Sequence, residues 1–122
     1  MRYARRSEVQ DPLIKPQGEA VYELIGAPAA LGGASGHSLA EIVIPAGGSS
    51  ARHRHARSEE TYYILCGEGR LVIDGRAHLV RAGDAYLIEV GERHQIFNEK
   101  GEELVFLAVS APPWIAEDSI FD

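Results

Sequence analysis

Residues 47–67 read GGSSARHRHARSEETYYILCG. In a β-strand, side chains two residues apart share a face. As a strand, this stretch aims His53 and His55 the same way. The chain then turns through Ala56, Arg57 and Ser58 and enters a β-branched and aromatic run that Gly67 closes. There, Glu60, Tyr62, Ile64 and Cys66 share one face, and Thr61, Tyr63 and Leu65 the other. Two imidazoles and a carboxylate directed at one spot are the beginning of a metal site. The plainer alternative is a polar surface edge, and the rest of the chain decides between them.

Downstream, LVIDGRAHLV (71–80) sets Asp74-Gly75 between two alternating apolar runs, the sequence of a two-residue type I′ hairpin turn. AYLIEV (85–90) follows an Ala-Gly-Asp turn, and HQIFN (94–98) follows a second glycine turn at Gly91. ELVFLAVS (103–110) is the last long strand, and the tail PPWIAEDSIFD has room for one helical turn. Upstream, EAVYELI (19–25) and HSLAEIVI (37–44) read as strands on either side of a flexible small-residue loop, GAPAALGGASG (26–36). Residues 1–17, with Pro12 and Pro16, read as an extended N-terminal arm, and residues 18–122 as one domain. About eight or nine short strands at close spacing, with no long helical period, predict an all-β sandwich or barrel.

The composition narrows the function. A chain of 122 residues with a net charge of -6 has no basic surface able to dominate, so nucleic acid and anionic membrane are not expected partners. The basic cluster Arg2, Arg5 and Arg6 reads as a solvated terminus. No apolar run approaches the ~20 residues of a membrane span. The single cysteine, Cys66, allows no internal disulfide, and the N-terminal stretch lacks an apolar secretory core. A cytoplasmic protein is the expectation.

His53, His55 and His94 all fall where strands begin, beside glycine-rich turns. In a barrel one face of the Glu60 strand is interior. A carboxylate and several imidazoles buried there unpaired would each cost several kcal/mol, a cost that a divalent cation removes. Imidazole nitrogen and carboxylate oxygen suit Fe, Mn, Ni, Cu, Co or Zn, and leave room on an octahedral ion for water or substrate.

Two spaced patterns then carry a family resemblance. The first is Gly47, five residues, His53-x-His55, four residues, Glu60, six residues, Gly67. The second is Gly83, five residues, Glu89-x-Gly91, two residues, His94, three residues, Asn98. The chain resembles the small single-domain cupins, whose two motifs match at every specified position except that Glu89 replaces a proline. The resemblance implies a double-stranded β-helix, or jelly-roll, barrel. It implies one divalent metal per chain held by His53, His55, Glu60 and His94, and a homodimer in which the N-terminal arm and an early strand pack on the partner. The tail from Ser110 also resembles the end of many small bacterial cupins. The activity implied is that of a small metalloenzyme acting on a small oxygenated molecule, of dioxygenase, isomerase, decarboxylase or lyase type. A non-catalytic ligand-binding or accessory module is the alternative.

Other residues take lesser roles. Glu59 is the alternative to Glu60, but spacing to Gly67 favours Glu60. Tyr62 shares the Glu60 face and is the candidate catalytic hydroxyl, against a plain core tyrosine. Cys66 on that face reads as a small buried hydrophobe. His37 and His78 read as surface histidines, Asn98 as a turn or ladder residue, and Tyr86 and Phe97 as core. Arg54 points away from the histidine face. Arg52 and Arg57 are candidates to recognise an anionic substrate, and Trp114 to cap the barrel or line a dimer seam. The interior reads as mainly apolar, which favours a small aromatic or apolar substrate.

Overall fold

Alternation of apolar and polar residues drives almost every element. The computed structural model describes all 122 residues, which form eleven strands and three single-turn 3-10 helices. The strands are β1 (Leu13–Ile14), β2 (Ala20–Ile25), β3 (Ser38–Ile44), β4 (Arg54–His55), β5 (Glu59–Cys66) and β6 (Glu68–Ile73). They continue with β7 (Arg76–Arg81), β8 (Ala85–Ile88), β9 (His94–Phe97), β10 (Leu104–Ala111) and β11 (Ser119–Ile120). The helical turns are Arg6–Glu8, Ala29–Leu31 and Ala116–Asp118. Eleven exceeds the eight or nine expected because β1, β4 and β11 are only two residues long.

A six-stranded sheet runs β1-β2-β3-β10-β5-β8, a three-stranded sheet runs β7-β6-β9, and β11 pairs with β4. The all-β barrel read from the sequence is the observed fold. The Asp74-Gly75 turn joins β6 to β7 with φ of 47° and 81°, the two positive values a type I′ turn requires. Gly67 is held for two reasons. Its φ is +85°, and a Cβ there would lie 2.4 Å from the Glu103 carbonyl oxygen.

The sheets bury one apolar cluster. It includes Ile42, Ile44, Ile64, Leu71, Ile88, Ile96, Leu104 and Phe106, each under 7% exposed. Tyr86 packs against this cluster from its edge. The inward residues shrink along β10 from Leu104 and Phe106 to Ala108 and Ser110. Opposite them on β3 they shrink from Ile44 and Ile42 to Ala40 and Ser38. One end of the barrel is therefore filled and the other is hollow.

Two expectations change. Cys66 is exposed, not buried. A bulge explains this: Ile64 pairs with Phe106 and Cys66 with Val105, so the alternation breaks between them and Cys66 turns outward with Val105. The arm is also not simply extended and solvated. Its β1 pairs with β2, and Arg6 bonds the Glu41 carboxylate at 2.6 Å while stacking over the Tyr22 ring. The loop 26–36 likewise contains a helical turn, and Arg2 donates a hydrogen bond to the Ala30 carbonyl there. No helix is long and apolar enough to cross a membrane.

Candidate metal centre

The hollow end of the barrel opens beside four side chains. The backbones of His53 and His94 pair directly: the His53 N–H donates to the His94 carbonyl at 3.1 Å, and the His94 N–H returns to His53 at 2.8 Å. This bridge ties the entry of β4 to β9. Register sets Glu60 of β5 opposite Ser110 of β10. The ligand atoms of His53, His55, Glu60 and His94 all lie within 4.8 Å of one another, close enough for one ion to touch them all. Glu59 is exposed and faces away, as the spacing predicted.

Three of these groups are hydrogen-bonded from behind, and His55 has only a carboxylate nearby. His53 Nδ1 donates to the Ala51 carbonyl and His94 Nδ1 to the Glu92 carbonyl, both at 2.9 Å, which leaves each Nε2 lone pair free. The Ser110 hydroxyl donates to Glu60 Oε2 at 3.0 Å and leaves Oε1 available. His55 Nδ1 lies 3.9 Å from the buried Asp118 carboxylate, which itself accepts the Ser58 N–H. Sequence reasoning missed Asp118. It enters through the tail, whose β11 pairs with β4, and nothing in its local spacing announces the contact.

The donor set fits a divalent ion. Buried polar atoms normally find partners. Here His55 Nε2, His94 Nε2 and Glu60 Oε1 are all buried without a hydrogen bond. They converge: Oε1 is 3.3 Å from His55 Nε2 and 3.4 Å from His94 Nε2. Charges agree with this. Burial, and then His94, lower His53 to about 4, so its imidazole is neutral near pH 7. Burial alone would raise Glu60, but His55 and His94 outweigh it and hold the carboxylate ionised, well below its usual range. Burial alone would lower His55, yet Glu60 beside it raises it.

Tyr62 is 2% exposed and stacks on Phe106 with ring centroids 4.5 Å apart. Burial first, then Glu60 and Glu19, hold its phenol protonated far above neutrality, so it keeps a proton to donate near pH 7. It lines a cavity with three of the four cluster residues, Val21, Ile25, Leu39, Ile42 and the two alanines of the hollow end. Trp114 is part of that wall and bonds Ser38 and Ser119. Arg52 and Arg57 are not: Arg57 donates to the Pro113 carbonyl, and Arg52 lies in a separate surface hollow with Arg70 and Arg93. Arg54 pairs with Asp122 on the outside. His37 and His78 are exposed, and Asn98 is a buried ladder residue that donates to the Ile44 and Glu102 carbonyls. Glu89 stands at the rim. Its N–H donates to Glu92 at 2.7 Å, a bond proline could not make, so the turn before His94 stays closed.

Sequence reasoning also missed Glu19, which is 8% exposed and faces the same cavity from the foot of β2. The only hint in the sequence is the alternation Glu19, Val21, Glu23, Ile25, all four of which line the cavity.

The model of the Cupin domain family matches residues 40–110, more than half of the chain. The chain is a cupin. It is 36% identical over 82 residues to the uncharacterised protein MJ1618 of Methanocaldococcus jannaschii, covering 67% of this chain and 66% of that one. It is 40% identical over 71 residues to an oxalate-binding protein of Thermotoga maritima, covering 58% and 59%. The chain thus spans just under two thirds of the length of these relatives. Among solved structures, a predicted oxalate decarboxylase of Thermotoga maritima superposes with a TM-score of 0.76 and 30% identity, over 89% of this cupin and 97% of that chain.

Proposed function

We propose that this cupin is a small metalloenzyme. One divalent transition ion per chain (Fe, Mn, Ni, Cu, Co or Zn) is held by His53, His55, Glu60 and His94. The observation that carries the reading is the meeting of three unpartnered, buried donor atoms at one point. A bound ion of this kind would supply Lewis acidity or, for a redox metal, oxygen chemistry. The substrate is a small oxygen-bearing molecule, and the reaction is of dioxygenase, isomerase, decarboxylase or lyase type. The residues themselves position it: the apolar side chains Val21, Ile25, Leu39 and Ile42 take its body, and Tyr62 donates a hydrogen bond to its oxygen. The apolar wall favours a largely apolar body over a bare dianion. Oxalate handling is the second reading, favoured by the names of the Thermotoga maritima relatives. In that case the module binds or cleaves a dicarboxylate, or only carries it.

The test is elemental analysis of protein purified without a nickel column or added metal. Near one transition metal per chain is expected. No metal, and none taken up on titration, overturns the reading and leaves a barrel that binds by shape.

A homodimer is part of the proposal. On the outer face of the β5–β8 pair, Tyr63, Leu65 and Leu87 are 44%, 42% and 55% exposed, an apolar patch suited to a second copy. Light scattering should give the mass of two chains, and Leu87→Glu should reduce it to one. A single-chain mass for the native protein rejects the dimer. A cytoplasmic setting fits the single free Cys66.

A further inference from the structure

Glu19 is the one buried acid of the cavity that the metal centre does not use. The residue is 8% exposed, and no hydrogen bond is among the influences on its carboxyl. A largely desolvated carboxylate without a hydrogen-bond partner costs stability. Groups kept at such cost concentrate at sites of chemistry. The groups around it are Lys15 across the β1–β2 turn, Glu23 four residues along the chain in β2, Glu60 and Tyr62 from β5, His94 from β9, and His53 and His55 from the β4 side. Lys15 is the single lysine or arginine lining the cavity.

We propose that Glu19 is the proton acceptor of this cavity, and that its ligand carries an acidic hydroxyl, an enol or a phenol, which loses its proton to the Glu19 carboxylate as its oxygen turns toward the metal centre. This role rests on the metalloenzyme reading above. The step is balanced: the ligand O–H bond breaks, the carboxyl O–H bond forms, the electron pair stays on the ligand oxygen, and no redox partner is needed. Charge argues for this ligand class. A dianion would enter beside Glu60 and Glu19 with only Lys15 to offset it. A neutral hydroxyl ligand brings its own proton and discharges Glu19 as it gains charge itself. The acid is also tuned for the task. Burial raises it most, with Glu60 adding and Lys15 and His94 opposing, to about 7, where a carboxyl both takes and returns a proton near neutrality.

The experiment compares zinc-loaded wild-type and Glu19→Gln proteins against two probes, catechol and oxalate, by calorimetry at neutral pH in two buffers of different ionisation heat. The variant should keep its zinc. It should bind catechol about tenfold more weakly or worse, the loss of one charge-assisted hydrogen bond, and, because Glu19 is about half ionised at neutral pH, should release about half a proton more to buffer per catechol bound. Oxalate, already ionised, should bind the variant as well as or better than wild type. Equal losses for both probes, no loss for catechol, or wild-type protein that holds zinc but ignores catechol each overturns the proposal. So does loss of zinc from the variant, which would make Glu19 a ligand. Zinc absent from wild type and variant alike refutes the metal reading instead, and this role with it.

Discussion

His94→Ala should empty the metal centre while His78→Ala leaves it full. His94 is 1% exposed and its Nε2 is one of the three unpartnered atoms at the cluster, whereas His78 sits exposed on β7. Residues that merely orient a metal ligand are typically worth 10- to 100-fold in affinity, so removing a ligand is worth about 100-fold or more. Ser110→Ala gives the intermediate point. It frees Glu60 Oε2 without touching a ligand atom, and should weaken affinity by about 10- to 100-fold. Competition with a chelator of known affinity ranks the three. Equal metal loss in His94→Ala and His78→Ala counts against the assignment. Because an ion that binds only the folded chain stabilises it by about 4 kcal/mol at a thousandfold excess over Kd, the ranking should reappear in melting temperatures measured with zinc.

The second large effect has the opposite sign for stability. In metal-free protein, Glu19→Gln should be more stable than wild type above pH 7, by on the order of 3 kcal/mol, and indistinguishable from it near pH 4. Folding raises Glu19 from 4.5 to about 7, chiefly through burial. Below 4.5 the carboxyl is neutral in both folded and unfolded chains. Between 4.5 and 7 the unfolded chain ionises freely while the folded one resists, so stability falls as pH rises, by about 1.4 kcal/mol per pH unit. Above 7 the loss is complete. A neutral glutamine escapes it. Urea unfolding of both proteins in EDTA at pH 4, 6 and 8 measures the difference, which should widen steadily. A difference that stays constant with pH would mean that Glu19 is not held in its neutral form by the fold. The prediction also fixes a trade-off: the native residue is the less stable choice at neutral pH.

The four-residue cluster was legible because its signal is one of spacing. Glycines at 47, 67, 83 and 91 fix turns, and turns fix which face His53, His55, Glu60 and His94 present. Glu19 was not legible for a physical reason. Both faces of β2 mix sizes and polarities, with Val21 and Ile25 on one and Tyr22 and Leu24 on the other, so the sequence does not say which is inward. Cys66 was misread because a bulge at Leu65 inserts one residue into the regular alternation of β5, and a bulge leaves no mark in the local sequence pattern. Asp118 depended on a tail that returns sixty residues later to pair beside His55, and only tertiary structure can make that contact.

The taper of β10 has a wider consequence. Its Leu104 end lies in the apolar core, and its Ser110 end bonds Glu60 of the candidate metal centre, with Ala108 between them paired with Ala40 on β3. Those two methyl groups act as a depth gauge. Enlarging either would shorten the chamber from its floor, and so would change which molecules fit without altering the ligands above or the core below. Selectivity and foldability are thus written on different stretches of the same strand, which leaves the first free to drift under selection while the second stays fixed.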